Sequence, residues 1–358
     1  MRAWSTTATI LALLLGCTAP VPVVDEPPSS TLPPPPEEGL RRFEGPSAPV
    51  APGEERFWCL FGTFEEAVGL DRMYLHSDSS FAHHILIKEA PSDSPFEDGE
   101  VVDCLDLGDW WYTKPVLVEP VGVLRFFEEL MDGPDAPEGL TWDDLRENGP
   151  PPGLLYPRVY LSDGIAYQID AGQRFVIDGH YVNVSDEEVQ VTVAMDVREL
   201  PPEDVVHPVG TYTHDLGAFS VPVGAIEGRS FECPWPEDIT LLSMRSHMHS
   251  LGHAYEITQI GLDGSEETVL SVPEWEPSMA GRPPKLEWLP GEFPVQAGEL
   301  LRTACVWNNT TDAPLEFPTE MCTTHGVGYP MTSNVYCDAG VLLSDDGGGP
   351  MAPGDGPG

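Results

Sequence analysis

Positive charge is what this sequence has least of. Lys and Arg number 17 against 59 Asp and Glu, giving a formal charge of −42 and a pI near 4.2. A polyanionic ligand needs a basic patch and none is visible, so nucleic-acid binding is excluded. The same charge opposes docking on anionic lipid. Beyond the N-terminus no apolar run approaches the roughly 18 residues of a membrane-spanning helix. No Cys-x-x-Cys pair is present, so a structural zinc site is not expected. The 10 Met form no Met-rich run, and no internal repeat is visible.

The N-terminus reads as a targeting segment over residues 1–16. Arg2 supplies the positive end, and Ala8 to Leu15 form a short apolar core. Leu14-Leu15-Gly16-Cys17 resembles the bacterial lipobox, in which the Cys is lipidated and becomes the mature N-terminus. The expectation is an exported protein, lipid-anchored through Cys17 to the bacterial cell envelope at the outer membrane or cell surface. The anchor would be its only contact with a membrane. Cys17 leaves six further cysteines, and an even number in an exported chain reads as disulfides. Six cysteines permit 15 pairings, so arithmetic alone selects none.

Residues 17–53 are Pro-rich and poor in large apolar side chains, which reads as an extended spacer. They carry little of the acidity: residues 17–56 hold seven acids against three bases. A solvated acidic globule follows. From Phe57 onward short β-rich runs recur, among them Ile85-Leu86-Ile87, Phe175-Val176-Ile177 and Tyr255-Glu256-Ile257, bounded by Gly, Pro, Asp or Asn. With 39 Pro and 35 Gly, short strands and turns are favoured over long helices. One helical stretch stands out, residues 123–131, inside a Pro/Gly-rich insertion over 119–158. The pattern predicts an all-β chain with two consecutive antiparallel β-sandwich (jelly-roll-like) domains, 54–200 and 201–343, divided near Leu200-Pro201-Pro202. A disordered Gly/Pro/Asp-rich tail is expected over 344–358. Asn183-Val184-Ser185 and Asn308-Asn309-Thr310-Thr311 contain glycosylation sequons, of little meaning in a bacterial lipoprotein.

Five of the ten histidines fall in three tight groups: His83-His84, His180, and His247-Met248-His249. On a strand, residues i and i+2 share a face, so His247 and His249 can reach one ion. Adjacent His83 and His84 can do so only where the pleat is broken, or with the ion at a strand edge. Imidazole suits copper, zinc, iron and nickel, and thioether suits Cu(I). Both patterns also arise on solvated strands that bind nothing. His76, His207, His214 and His253 read as surface or packing residues.

These segments resemble those of the copper type II, ascorbate-dependent monooxygenases. Ser80-Phe81-Ala82-His83-His84-Ile85-Leu86-Ile87 is similar to the family's His-His strand, and Gly179-His180-Tyr181-Val182-Asn183 to its His-Tyr segment. Arg245-Ser246-His247-Met248-His249-Ser250-Leu251-Gly252 resembles its Arg-x-His-x-His-x-Leu-Gly segment. Glu320-Met321-Cys322 and Cys305-Val306-Trp307-Asn308-Asn309 match two further stretches. Order and spacing agree over about residues 57–343. The resemblance implies two copper ions. His83, His84 and His180 would hold the first, which stores and delivers an electron. His247, His249 and Met321 would hold the second, where O2 and substrate meet. It also implies the disulfides Cys59–Cys104, Cys233–Cys337 and Cys305–Cys322, the last pinning Met321.

The activity implied is hydroxylation of an activated C–H in a small organic or peptide-like substrate, with O2 and ascorbate or another one-electron reductant. A monomer is expected. Arg245, two residues before His247 and on the same face, is a candidate for binding a substrate carboxylate. The sequence departs from the peptide hydroxylases at His325, where they carry a substrate-contacting Tyr, and at Asp178, where they carry Gln. His325 is a pocket candidate, open to service as an extra ligand or proton carrier. Asp178 is a candidate for orienting His180. The rival reading is a non-catalytic copper-binding or copper-buffering surface lipoprotein.

Overall fold

The computed structural model describes residues 32–343, apart from 78–81, 108–115, 119–120, 122–125, 128–129, 132–140, 142–156, 162–163, 184, 281–282, 318 and 332. The targeting segment, Cys17, the first part of the spacer and the 344–358 tail lie outside the described residues, as does most of the 119–158 insertion. Phe126–Phe127 and Leu130–Met131, within the expected helical stretch, are helical.

The strands of the N-terminal half are β1 (Arg41–Glu44), β2 (Ala48–Val50), β3 (Glu55–Phe64), β4 (Val68–Ser77), β5 (Ala82–Glu89), β6 (Val101–Asp103), β7 (Val116–Val118), β8 (Val159–Tyr160), β9 (Ile165–Ile169), β10 (Gln173–Val182), β11 (Val189–Val191) and β12 (Val193–Leu200). Those of the C-terminal half are β13 (His207–Asp215), β14 (Ile226–Pro234), β15 (Ile239–His247), β16 (Gly252–Ile260), β17 (Glu266–Val272), β18 (Lys285–Glu287), β19 (Phe293–Val295), β20 (Leu300–Asn308), β21 (Thr323–Tyr329), β22 (Val335–Asp338) and β23 (Val341–Leu343).

The chain is an all-β, sandwich-type fold. In the first half, the sheet β6-β3-β10-β5-β7 faces β1-β12-β4-β9. Leu60, Ile87, Phe175 and Ile177 from one sheet pack with Leu70, Met73, Met195 and Val197 from the other. In the second half, β14-β20-β16-β17 faces β13-β21-β15-β18. Strand β20 shows how sequence drives this: in Leu-Leu-Arg-Thr-Ala-Cys-Val-Trp-Asn every second residue is buried, ending at Trp307. Its alternation matches a sheet with one face in a core. The halves are not separate sheets. Strand β13 pairs in parallel with β9, His207 opposite Ile165, so one layer runs through both sandwiches.

Two sequence expectations are corrected. The stretch read as spacer is structural from residue 41: β1 pairs with β12, β2 pairs with β11, and Val50 is fully buried. Small and Pro-rich stretches can still donate edge strands, which composition does not register. The absence of a repeat also holds only at the level of residues. The order β3-β10-β5 recurs as β14-β20-β16. After each central strand comes the same loop. Asn183 Nδ2 donates to the Val50 and Glu187 carbonyls, and Oδ1 accepts from Ser185 N–H and Oγ–H. Asn309 repeats this with Val221, Ala313 and Thr311. Both Asn are fully buried and their amides fully bonded, so the two sequons encode loop clamps.

Three disulfides, Cys59–Cys104, Cys233–Cys337 and Cys305–Cys322, brace the sandwiches in the pairing that the resemblance implied.

Candidate functional site

The first group of histidines sits where β5 runs beside β10. His84 is the Cα partner of His180, but the next pair is Ala82 with Tyr181, so His83 is an extra residue in β5. The pleat is therefore broken at the adjacent histidines, one of the two arrangements in which neighbours could share an ion. The same register shift recurs in the second half between Gly252 and Ala254, with His253 as the extra residue. There Ala254 and Val306 stand where the first half has His84 and His180, so the second copy holds no matching ligand pair.

His180 is buried and held from β3. Its Cα partner Phe57 stacks on the imidazole, with ring centres 4.1 Å apart and planes 11° from parallel. Glu55, on the same face of β3, places Oε1 2.6 Å from Nε2. A carboxylate only accepts, so Nε2 carries the proton and the lone pair of the neutral ring lies on Nδ1. Asp178, the expected partner, forms a buried ion pair with Lys88 at 3.5 Å. Gly179 is required by close approach: a Cβ there would lie 2.8 Å from the Tyr181 ring.

The second group lies at the end of β15. Arg245, His247 and His249 are partly exposed while Ser246 and Met248 are fully buried, so the three share one face as their spacing predicts. The His247 and His249 rings are 5.2 Å apart and nearly perpendicular. Two imidazoles sharing an ion, with metal–nitrogen bonds of about 2.0–2.1 Å, have ring centres roughly 5–6 Å apart. His249 Nδ1 lies 3.0 Å from the Thr319 carbonyl. A carbonyl accepts, so Nδ1 holds the proton and Nε2 is the ligand atom. Met321 precedes by two residues Thr323, the Cα partner of His247.

Glu320, itself fully buried, ties these pieces together. Its carboxylate accepts the backbone N–H of His249 at 3.0 Å and that of Leu251 at 2.6 Å. Trp275 Nε1–H donates to the His249 carbonyl at 2.9 Å. Gly252 admits that indole, since a Cβ would stand 2.7 Å from its ring. The Cys305–Cys322 bond fixes the residue beside Met321.

A cross-strand row runs beside this group: Thr213 on β13, His325 on β21, Arg245 on β15 and Lys285 on β18 are successive Cα partners. The His325 ring is 6.5 Å from that of His247, and its Nδ1 is 3.4 Å from Thr213 Oγ1. Burial, reinforced by the Arg245 guanidinium, holds the His325 pKa well below the ordinary histidine value, so the ring is neutral. Two bases side by side, Arg245 and Lys285, are a local exception on so acidic a chain.

Among the described residues, the groups of three His, Cys or acid donors within reach of one another are His214 with Cys233 and Cys337, and Cys59 with Cys104 and Asp178. Their sulfurs are joined in disulfides and offer no thiolate. Of the other histidines, His76 and His214 are buried and His207 and His253 exposed, in keeping with packing and surface roles. Sequence reasoning missed Glu55, Phe57, Thr319 and the role of Glu320. Only Glu320 carried a signal, an acid directly beside a candidate ligand.

No family model matches the chain, and no curated protein matches it. Among solved structures it is similar to the VP2 subviral particle of infectious bursal disease virus, at 10% identity over 81% of this chain and 71% of that chain, with a TM-score of 0.21. It is also similar to the structure of that virus's Gt strain, at 12% identity over 85% and 78%, with a TM-score of 0.16. Likeness at this level carries no information about what the chain does.

Proposed function

We propose that this chain is a copper-dependent monooxygenase, related to the type II ascorbate-dependent enzymes. It would hydroxylate an activated C–H of a small organic or peptide-like substrate, exported and anchored through Cys17. The observation that carries the reading is the pair of tautomers. His180 and His249 each have one ring nitrogen committed to an acceptor, Glu55 Oε1 and the Thr319 carbonyl. In that neutral tautomer the lone pair of each ring lies on the other nitrogen, Nδ1 of His180 and Nε2 of His249. Second-shell acceptors of this kind are how proteins orient metal-binding imidazoles.

The donor sets fit copper. His83, His84 and His180, the last through Nδ1, would hold one ion, and three imidazoles accommodate both oxidation states. His247, His249 through Nε2, and Met321 would hold the other, and a thioether favours Cu(I). Copper, when bound, supplies one-electron storage and activates O2 for insertion into the C–H bond. Glu320 keeps the His249 turn and the Met321 segment in mutual register. Arg245 offers a planar donor pair to an anionic group of the substrate. Neutral His325, on the same face, can donate or accept a hydrogen bond there without adding charge.

The test is reconstitution with copper followed by ascorbate-dependent O2 uptake, screened with glycine-extended peptides and aromatic amines. Two coppers per chain and substrate-dependent uptake are expected. Two coppers with no uptake on any substrate would favour the non-catalytic copper-binding reading. One copper or none would remove the assignment.

A further inference from the structure

The two groups of histidines differ in what stands behind them. Behind His180 is a carboxylate, Glu55 Oε1 at 2.6 Å from Nε2. Behind His249 is a neutral carbonyl, that of Thr319 at 3.0 Å from Nδ1. A hydrogen bond to an ionised acceptor is about twice as strong as a neutral one and pushes more electron density into the ring. Phe57 stacks on the same ring at 4.1 Å and favours the plane in which Nε2 meets Glu55. Glu55 and Phe57 are i and i+2 on β3, on one face, and act on one side chain.

We infer that Glu55 and Phe57 form a positioning clamp that makes His180 the more basic ligand, stabilises Cu(II) at the first site, and so directs its electron toward the second. The inference rests on the copper reading above. Direction follows from the asymmetry. A more basic imidazole favours the higher oxidation state, whereas a carbonyl-backed imidazole with the Met321 thioether favours the lower one. An electron shared between the two ions then resides at the second.

The deciding variant is Glu55→Gln, which keeps an oxygen acceptor for Nε2 and removes the charge. Glu55 is largely exposed, its side chain at 60% of full accessibility, so folding should be untouched. Copper content and an EPR-monitored redox titration are measured on the full chain. They are repeated in a His247→Ala/His249→Ala background, where only the first site remains. E55Q should retain the first copper but shift its Cu(II)/Cu(I) preference toward Cu(I) about tenfold, roughly 59 mV for one electron. The second copper should not move. Glu55→Asp, which keeps the charge, should recover part of the shift. An unchanged first-site potential in E55Q overturns the clamp and leaves the copper assignment standing. Wild-type protein that binds no copper overturns both. If E55Q does not retain the first copper, return of the metal in E55D supports the inference, and its absence from both variants overturns it.

Discussion

Glu320 reaches across from the segment before β21 and closes its carboxylate on the backbone N–H of His249, 3.0 Å away. One buried acid thereby ties the turn that carries His249 to the segment that carries Met321. Replacing Glu320 by Ala leaves the N–H groups of His249 and Leu251 without their acceptor, at about 1–3 kcal/mol for each buried group. The expected outcome is a lower melting temperature and loss of the second copper, with the first retained. Glu320→Gln keeps one acceptor oxygen and should lose less. Calorimetry and metal analysis distinguish these results; retention of both coppers in Glu320→Ala would show the turn stands without its clamp.

Met321→Ala should abolish O2 uptake while one copper, the imidazole-bound one, remains. Met321 is only partly buried, so the cavity left is small and the fold should survive. Metal analysis on the purified variant, alongside O2 uptake, checks this. Unchanged turnover would take the thioether out of the chemistry.

Some local features of the candidate site are legible in the sequence. The i, i+2 spacing puts Arg245 and His247 on one face of β15, and the alternation of burial carries on to His249, two residues past the strand's end. For the adjacent pair His83-His84 a broken pleat was one of two arrangements allowing a shared ion, and β5 carries an extra residue at that point. What sequence could not reveal is contact across distance. Glu55 and His180 are 125 positions apart, and neither local propensity nor periodicity links them. The recurring strand order leaves one short trace, the Asn-x-Ser/Thr pattern that begins at Asn183 and at Asn309, and three residues alone do not reveal a structural repeat. Likewise the composition of β1 and β2 reads as spacer, because composition reports flexibility and says nothing of an available sheet edge.

Arg245→Ala should raise KM for an acidic substrate by one to two orders of magnitude, about 1–3 kcal/mol for a charged hydrogen-bond pair, with kcat less affected. Arg245→Lys should recover part of it, since a point charge cannot reproduce a planar fork. Steady-state kinetics on a glycine-extended peptide and on its amide separate the cases. An identical KM for both substrates in wild type would end the carboxylate role.

His214 gives a pH prediction independent of copper. It is fully buried, bonds Thr303 Oγ1 through Nδ1 at 3.0 Å, and lies against Phe231 and Tyr212, none of them charged. Burial pushes its pKa down from 6.5 to about 3. Between those values the unfolded chain binds a proton that the folded chain does not, so stability rises with pH across that window. The contribution is complete above about pH 6.5 and is lost as pH falls toward 3. At pH 4.5 the expected loss from this residue is on the order of 2–3 kcal/mol. The many carboxylates also titrate in acid, so the measurement is a difference. Denaturant unfolding at pH 7.5 and 4.5 is compared between the native chain and His214→Gln, which carries no titrating group. The variant should be less stable at pH 7.5, because its amide fits the cavity poorly, yet lose less on acidification. An equal loss in both proteins would mean that the folded state admits a protonated imidazole at this position.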